Sequence, residues 1–288
     1  MHSSAIEYGK RFFKAYCTDR NGILIVDIGS QNVNGSLRDL CPAGAKYFGV
    51  DFVTGDGIDV VLEDPYQLPF DDQSVDVIVC SSVFEHSQFF WLLFLEVMRV
   101  LKPEGIFYLN APSNGCIHRY PVDCWRFYPD SGLALVAWAE RNGYAPALLE
   151  SFIGLRDYEG KDYKLLEKDD ASWNDFVAIF IKEKRCQSLY HHRVIKTLDK
   201  YVNAYCDSDI KTNPSILTDD FLLINTKKRL IDSLNRRILE RDEVIDSLNR
   251  GILERDEVIN ELTSSLRWKI TQPFRDVVNR FYKKSKFF

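Results

Sequence analysis

The stretch Ile23-Leu-Ile-Val-Asp-Ile-Gly-Ser-Gln-Asn-Val-Asn-Gly35 predicts an apolar strand that ends at an acid and runs into a glycine-containing turn. A second apolar segment ends at another acid, Asp51. In a parallel sheet, the first turn would present backbone amides and a helix N-terminus to one end of a ligand, and Asp51 would accept hydrogen bonds from ribose hydroxyls. Together the two segments predict an α/β protein that binds a nucleoside.

Length, charge and cysteine usage narrow the class of protein. The chain has 288 residues and a formal net charge of −5, which suits one α/β domain with a further element and gives no overall electrostatic case for nucleic acid. Met1–Lys10 lacks the apolar core of a signal peptide, and the longest apolar run, Phe89–Leu95, is too short to span a bilayer. Seven cysteines without metal-ligand spacing indicate reduced thiols. We therefore expect a cytoplasmic protein.

Short apolar runs alternate with helical patterns, which predicts a mainly parallel sheet. Helices are expected over Phe89–Leu101 and from an N-cap at Asp130 to Glu140. The domain, residues 1–184, would close near Lys184, and a connector is predicted over 185–220. The expected strands are Ile23–Asp27, Tyr47–Asp51, Val60–Leu62, Val75–Cys80, Ile106–Asn110, Ala147–Ile153 and Phe176–Lys182.

A repeat of two heptads follows the connector, because Ile231–Val244 is succeeded at once by the nearly identical Ile245–Val258. The spacing predicts a coiled coil over residues 221–266 and a homo-oligomer, although Arg241 and Arg255 interrupt the second apolar series and leave the number of strands open. The alternative is a lone helix packed on the domain. The seam positions are Ile224, Ile231, Ile238, Ile245, Ile252, Ile259 and Leu266, with Leu234, Leu248 and Leu262 as their partners.

The turn after the first strand differs from a dinucleotide-binding turn. Gln31 and Val33 stand where closely fitting glycines are needed, so pyrophosphate binding is disfavoured. A ligand without phosphates needs less backbone crowding, and a positively charged sulfur would be attracted to Asp27. The turn therefore favours S-adenosyl-L-methionine (SAM) as the ligand.

Several later motifs follow this turn. They are Asp27-Ile28-Gly29, Tyr47-Phe48-Gly49-Val50-Asp51, Asp64 before Leu68-Pro69-Phe70, Ser74-Val75-Asp76-Val77-Ile78, Glu85-His86 and Leu101-Lys102-Pro103-Glu104-Gly105. In order and spacing they resemble class I SAM-dependent methyltransferases of the type 11 kind, over roughly Ile23 to Lys182. The resemblance implies a Rossmann-like α/β sheet, mostly parallel with an antiparallel last strand and helices on both faces, to which the coiled-coil helix is added.

The resemblance also implies a set of cofactor contacts. Asp51 would bind both ribose hydroxyls, Asp64 would face the adenine amino group, and Phe52 would pack on the adenine ring. Pro65, in the same predicted site, departs from the family because it lacks the backbone N–H that often binds adenine there. Without the surrounding motifs, Asp51 and Asp64 would each be a turn acid at a strand end. The other predicted cofactor residues are Asp27, Gly29 and Ser30 at the methionine end, Asn34 in the same turn, and Ser81 and Ser82 after the fourth strand.

Methyl transfer is an in-line displacement, so the protein aligns the acceptor and, for a hydroxyl acceptor, supplies a base. The candidate catalytic residues are His86 and His118, with Asp123 beside them in the run His118–Asp130, which should wall the acceptor pocket. A metal site at His118 and Asp123 has no supporting ligand spacing, and no metal is expected. The predicted acceptor-binding residues are Arg119, Tyr120, Trp125, Arg126 and Tyr128. The alternative is core packing by Trp125, Phe127 and Tyr128 with an Arg119–Asp123 ion pair.

Basic and aromatic residues alternate in residues 267–288, which is typical of a segment lying on an anionic membrane. A solvated tail and an RNA-binding tail are the alternatives, but no RNA-binding module accompanies the segment, so nucleic acid is not expected as a partner. Ser265–Arg275 resembles a short C-terminal motif of bacterial enzymes of surface-polysaccharide assembly. The basic residues are Arg267, Lys269, Arg275, Arg280, Lys283, Lys284 and Lys286, opposed by Asp276.

These features predict an enzyme that uses SAM to methylate a sugar hydroxyl or a phosphate on a surface glycan or lipid-linked saccharide, at the inner face of the cytoplasmic membrane. Two alternatives remain. One is a catalytically weak or inactive SAM-binding scaffold that organises glycosyltransferases at the membrane. The other is a methyltransferase acting on a quinone or small metabolite.

Overall fold

The computed structural model describes residues 3–18, 20–155, 174–199, 201–207, 209–211 and 219–284. The chain divides into two units, Met1–Ile224 and Asn225–Phe288. The elements before the last two helices are α1 (Ser3–Tyr16), β1 (Leu24–Ile28), β2 (Lys46–Asp51), β3 (Val60–Val61), β4 (Val75–Ser81), α2 (Phe90–Val100), β5 (Leu101–Pro112), α3 (Asp130–Arg141), β6 (Ala147–Gly154), β7 (Asp175–Ile181), β8 (Tyr201–Cys206) and β9 (Asp209–Lys211).

The described strands form one sheet in the order β3-β2-β1-β4-β5-β7-β6-β8-β9. The five strands from β3 to β5 run parallel, whereas β7 is antiparallel to both β5 and β6. This confirms the predicted α/β sheet with an antiparallel strand after the parallel ones. The chain order reverses between β1 and β4, and the ligand crevice of such a sheet lies at the carboxyl ends of the strands beside that reversal.

The central strand β4 is buried along its whole length, as a parallel strand covered on both faces must be. One face of the sheet packs against α2 and α3 through Phe94, Met98 and Leu135. The other face packs against α1 through Phe12 and Tyr16. No helix was predicted over Ser3–Tyr16, although its apolar residues fall on one helical face. In α3 the predicted cap also differs, because Pro129 takes the N-cap position and Asp130 is the first helical residue.

Part of the predicted connector, residues 185–220, belongs to the sheet. β8 pairs with β6, and β9 pairs with β8. Leading into β8, the backbone amides of Val194 and Ile195 donate to the buried carboxylate of Glu150, at 2.7 and 2.8 Å. Because these anchors come from a strand more than forty residues earlier in the chain, the local pattern of the segment did not reveal them. The domain boundary at 184 therefore cuts through the sheet.

The remaining helices are α4 (Asp219–Ser264) and α5 (Leu266–Lys284). They are separated at Ser265, whose Oγ accepts a hydrogen bond from the backbone amide of Trp268 at 3.2 Å, as an N-cap does. The seam of α4 is exposed, with Ile231, Ile245 and Ile259 each about half accessible. No helix in the described parts of the chain is long and apolar enough to cross a bilayer.

Candidate active site

β1 ends in a turn that requires glycine. Gly29 has a φ of +78°, and its backbone amide donates to the carbonyl of Val50 at 2.9 Å. A Cβ at this position would lie 2.1 Å from Cγ2 of Val83, so the loop after β1 packs directly on the loop after β4. The hydroxyl of Ser30 donates to the carbonyl of Gly57 at 3.0 Å. The first turn is therefore fixed both to the end of β2 and to the end of β4.

Two acids lie at neighbouring strand ends. Asp27 is buried, and its Oδ2 accepts a hydrogen bond from Tyr47 Oη at 2.7 Å. Burial raises the pKa of Asp27 to about 7, against the opposing effects of the Tyr47 hydrogen bond and of nearby Arg38. Asp51 is 8% exposed, and its Oδ1 accepts from the backbone amide of Phe52 at 2.7 Å. Within the described residues the structure gives Oδ2 of Asp51 no hydrogen-bond donor, so this oxygen can accept one from a ligand.

The predicted adenine contacts are arranged less uniformly. Phe52 is 49% exposed, so its side chain is accessible to a ligand. Asp64 acts as a turn acid, since its Oδ1 accepts from the amide of Tyr66 at 2.8 Å. Pro65 is exposed in that same turn, and Asn34 is exposed in the loop after β1.

Ser81 and Ser82 end β4, in the position expected from the sequence. Ser81 is buried, and its hydroxyl has no hydrogen-bond partner among the described residues. Ser82 has a φ of +58°, a conformation that costs a non-glycine residue about 1–3 kcal/mol and that recurs at ligand sites. Its amide donates to the carbonyl of Asn110 at 2.9 Å, which joins the ends of β4 and β5.

The candidate bases His86 and His118 lie together, with ring centroids 4.8 Å apart. They face a third group, the carboxylate of Glu85, whose Oε1 is 3.7 Å from Nε2 of His86 and 4.0 Å from Nε2 of His118. Burial raises the pKa of Glu85 to about 8 and lowers the pKa of His118. No role was predicted for Glu85. Its position next to His86, directly after a buried strand, was the available signal.

Asp123 and Arg126 hold the acceptor loop in shape. Nη1 and Nη2 of Arg126 donate to the two carboxylate oxygens of Asp123 at 2.6 and 2.8 Å, and they also bond the carbonyls of Trp125 and Cys116. The hydrogen bond from Arg126 lowers the pKa of Asp123 to about 2. The alternative Arg119–Asp123 ion pair is therefore not what the structure forms. Arg126 was predicted to bind the acceptor, but its guanidinium is occupied inside the loop.

The aromatic residues of the same loop divide into two groups. Tyr120, Trp125 and Tyr128 are 55%, 37% and 63% exposed, whereas Phe127 is buried. Core packing was the alternative prediction for Trp125, Phe127 and Tyr128, and of these three it describes Phe127. Arg119 is exposed. Three rings of this loop are therefore accessible to a ligand.

Contacts with two other segments place this loop over the crevice. The carbonyl of Glu85 accepts from the amides of Cys124 and Trp125 at 2.7 and 3.3 Å. Tyr120 Oη donates to Oε1 of Gln31 at 2.7 Å, so the loop after β5 reaches the turn after β1. The predicted acceptor wall and the predicted cofactor turn are thereby in direct contact.

Comparison with known proteins gives a family match and similar solved structures. Residues 26–109 match a family described as a methyltransferase domain. No curated protein sequence gives a significant match. One similar solved structure is the YcgJ protein from Bacillus subtilis, with 14% sequence identity and a TM-score of 0.45; the match covers 64% of this chain and 100% of that one. A SAM-dependent methyltransferase from Methanosarcina mazei has 14% identity and a TM-score of 0.41, and the match covers 57% of this chain and 94% of that one. A third is phosphoethanolamine N-methyltransferase 2 from Haemonchus contortus in complex with SAM. It has 12% identity and a TM-score of 0.40, and the match covers 62% of this chain and 53% of that one.

The residues present fit SAM. The matched segment runs from β1 into β5 and carries the Gly29 turn, Asp51 with one unbonded oxygen and the accessible ring of Phe52. A tight turn, a ribose acceptor and an adenine platform at adjacent strand ends are what a nucleoside cofactor requires. The methyltransferase-domain match over residues 26–109 and the nucleoside-binding geometry support a SAM-dependent methyltransferase, with SAM as its cofactor.

Proposed function

We propose that the enzyme methylates an oxygen of a surface glycan, either a sugar hydroxyl or a phosphate of a lipid-linked saccharide. The observation that carries the proposal is the accessible set Tyr120, Trp125 and Tyr128 in the loop beside the two histidines. Sugar rings have apolar C–H faces that pack on aromatic rings, and the exposed guanidinium of Arg119 suits an anionic group. Such a surface favours a saccharide over a compact metabolite.

When bound, SAM supplies the methyl group. The chain's own residues then have to position the acceptor oxygen and remove its proton. Of the two imidazoles, His118 has the more accessible side chain, 32% exposed against 12% for His86, and it begins the acceptor loop. We therefore assign the base to His118, with Asp123 beside its Nδ1 at 3.5 Å.

The first experiment separates cofactor binding from transfer. Isothermal titration with SAM should show binding, weakened about 10- to 100-fold in Asp51→Ala because a charge-assisted hydrogen-bond acceptor is lost. Transfer of labelled methyl from SAM to lipid-linked saccharide fractions should then be lost in His118→Asn while SAM affinity is retained. SAM binding without transfer to any saccharide would contradict the glycan proposal and favour the scaffold. Absence of SAM binding by the folded protein would contradict its assignment as a SAM-dependent enzyme.

The second unit supports association with a second copy and with a membrane. The exposed isoleucine seam of α4 repeats every seven residues, which suits a coiled-coil partner of the same sequence. In α5, Ile270, Phe274, Val277 and Phe281 recur at spacings of three and four and are all exposed, among basic residues. Deleting residues 267–288 should abolish binding to vesicles containing anionic lipid, with neutral vesicles as the control. Unchanged binding would contradict the membrane proposal.

One observation favours a second candidate, methylation of a quinone or other apolar metabolite. A cavity of about 340 Å³ lies between α2 and α3 and is lined by Phe90, Trp91, Leu135 and Trp138. Phe90 also contacts Trp125 of the acceptor loop, with ring centroids 5.4 Å apart. Transfer to a short-chain quinol, reduced by Trp138→Ala and not competed by saccharide, would favour this candidate over the glycan.

A further inference from the structure

Three side chains able to ligate a metal converge beneath the acceptor loop. One ligand atom from each of Glu85, His86 and His118 lies within 4.8 Å of the other two. An ion bound tetrahedrally at about 2.1 Å keeps its ligand atoms roughly 3.4 Å apart, close to the 3.7 and 4.0 Å that separate Oε1 of Glu85 from the two Nε2 atoms. Since separations in the cluster reach 4.8 Å, the side chains have to draw together by up to about 1.4 Å when an ion binds.

The far nitrogens of both rings face acceptors. Nδ1 of His86 is hydrogen-bonded to the carbonyl of Val122, and Nδ1 of His118 is 3.5 Å from Oδ2 of Asp123. An imidazole that donates from Nδ1 carries its lone pair on Nε2, and a carbonyl or carboxylate partner of this kind is what orients histidines as metal ligands. The Nε2 lone pair of His86 therefore points to the side occupied by Glu85, and Nε2 of His118 lies 4.0 Å from the same carboxylate.

Glu85 has one carboxylate oxygen without a protein donor among the described residues. It is 1% exposed, and its Oε2 has no hydrogen-bond partner in the described parts of the chain. A buried carboxylate oxygen without a partner is costly, and a divalent cation bound between Glu85 and the two imidazoles would satisfy it.

We propose that Glu85, His86 and His118 bind one divalent transition-metal ion, and that this ion is Zn²⁺, which two imidazoles and a carboxylate suit. Three protein ligands leave a coordination position open, on the side where His118 is accessible. Ion binding would take up the Nε2 lone pairs, so His118 acts as the base only in the metal-free enzyme. In the loaded enzyme the ion would lower the pKa of the acceptor hydroxyl, whose proton would leave to solvent. That consequence rests on the proposed O-methylation, whereas metal binding itself does not. The sequence predicted no metal because His118 lies in a segment distant from Glu85 and His86.

The test uses the full chain after treatment with a chelator. Titration with Zn²⁺ should show one ion per chain, and Co²⁺ as a probe should give visible ligand-field absorption. Glu85→Gln and His118→Asn should each weaken Zn²⁺ binding at least tenfold and remove the cobalt bands, since each removes one of three ligands. His191→Asn changes an exposed histidine outside the cluster and should leave both signals unchanged.

Exposed thiols are the main competing zinc ligands, and Cys116 and Cys124 lie in the acceptor loop. The double variant Cys116→Ser/Cys124→Ser should therefore keep its Zn²⁺ site. Absence of a one-to-one site, or a site that survives His118→Asn but not the double serine variant, would overturn the proposal. Thermal unfolding without metal checks that each variant is folded. SAM titration of the same samples separates the zinc proposal from the proposed methyltransferase function. Intact SAM binding without a zinc site would overturn the zinc proposal alone.

Discussion

The two sides of the crevice are built in different ways. The cofactor side, formed by the loops after β1 and β2, is held by bonds between neighbouring strand ends, such as that from the Gly29 amide to Val50. The acceptor side, formed by Glu85–His86 and the loop from Ser113 to Asp130, is held by bonds between segments distant in the chain, such as that from Cys124 to Glu85. Cofactor binding is thus tied to the sheet, whereas the acceptor side can change without disturbing it.

The largest expected effect tests the link between cofactor side and sheet. Gly29→Ala adds a Cβ that meets Val83 and forces alanine into a positive φ. We expect the free energy of unfolding to fall by about 2–5 kcal/mol, from the backbone and packing costs together, and SAM binding to be lost. Urea denaturation and SAM titration measure the two effects.

Gly44→Ala is the matched control. Gly44 has a φ of +80°, but nothing lies within 4 Å of the Cβ that an alanine would carry there. The variant should lose only the conformational term of about 1–2 kcal/mol and keep its SAM affinity. If Gly29→Ala and Gly44→Ala lose equal unfolding free energy and SAM affinity, contact between the loops after β1 and β4 is not what makes Gly29 necessary.

A second prediction concerns the charge of Asp27. Its folded-state pKa of about 7 lies above the unfolded value of about 3.9, so the folded state holds the proton more tightly. The stability from this group is complete below pH 4 and is lost as the pH rises through 7. Between pH 5 and 8 the free energy of unfolding of the wild type, relative to Asp27→Asn, should fall by about 2–3 kcal/mol. If the free energies of unfolding of the two proteins change in parallel with pH, burial does not raise the pKa of Asp27.

The cofactor side of the crevice was easier to predict from the sequence than the acceptor side, because its contacts join neighbouring strand ends. Asp27-Ile28-Gly29 and Asp51 are legible because each acid stands directly at the end of its own apolar strand, and the parallel order brings such ends together. The Glu85–His118 cluster depends on how the loop after β5 folds back. No local periodicity encodes that path. β8 was missed for a similar reason, since its pairing with β6 is stabilised by contacts with distant residues such as Glu150.

The third prediction separates two arginines of the acceptor loop. Arg126→Ala leaves the buried carboxylate of Asp123 without its bidentate partner, and breaking a buried pair costs about 3 kcal/mol. We expect the acceptor KM to rise strongly and the unfolding midpoint to fall, with SAM affinity little changed. Arg119→Ala, which changes an exposed side chain, should raise the acceptor KM for an anionic saccharide without affecting the unfolding midpoint. Steady-state kinetics and thermal unfolding distinguish them, and a reversed ranking in stability would contradict the assignment.

The smallest expected effect tests the direct bond between the two sides. Tyr120→Phe removes the hydroxyl that donates to Gln31 but keeps the exposed ring for stacking. Loss of one accessible hydrogen bond is worth about 1 kcal/mol, so the acceptor KM should rise roughly fivefold at most. Tyr128→Phe is the control, because within the described residues its hydroxyl makes no hydrogen bond, and its KM should not change. If Tyr120→Phe instead weakens SAM binding as much as acceptor binding, this bond couples the two sides energetically, and the acceptor loop forms part of the cofactor site.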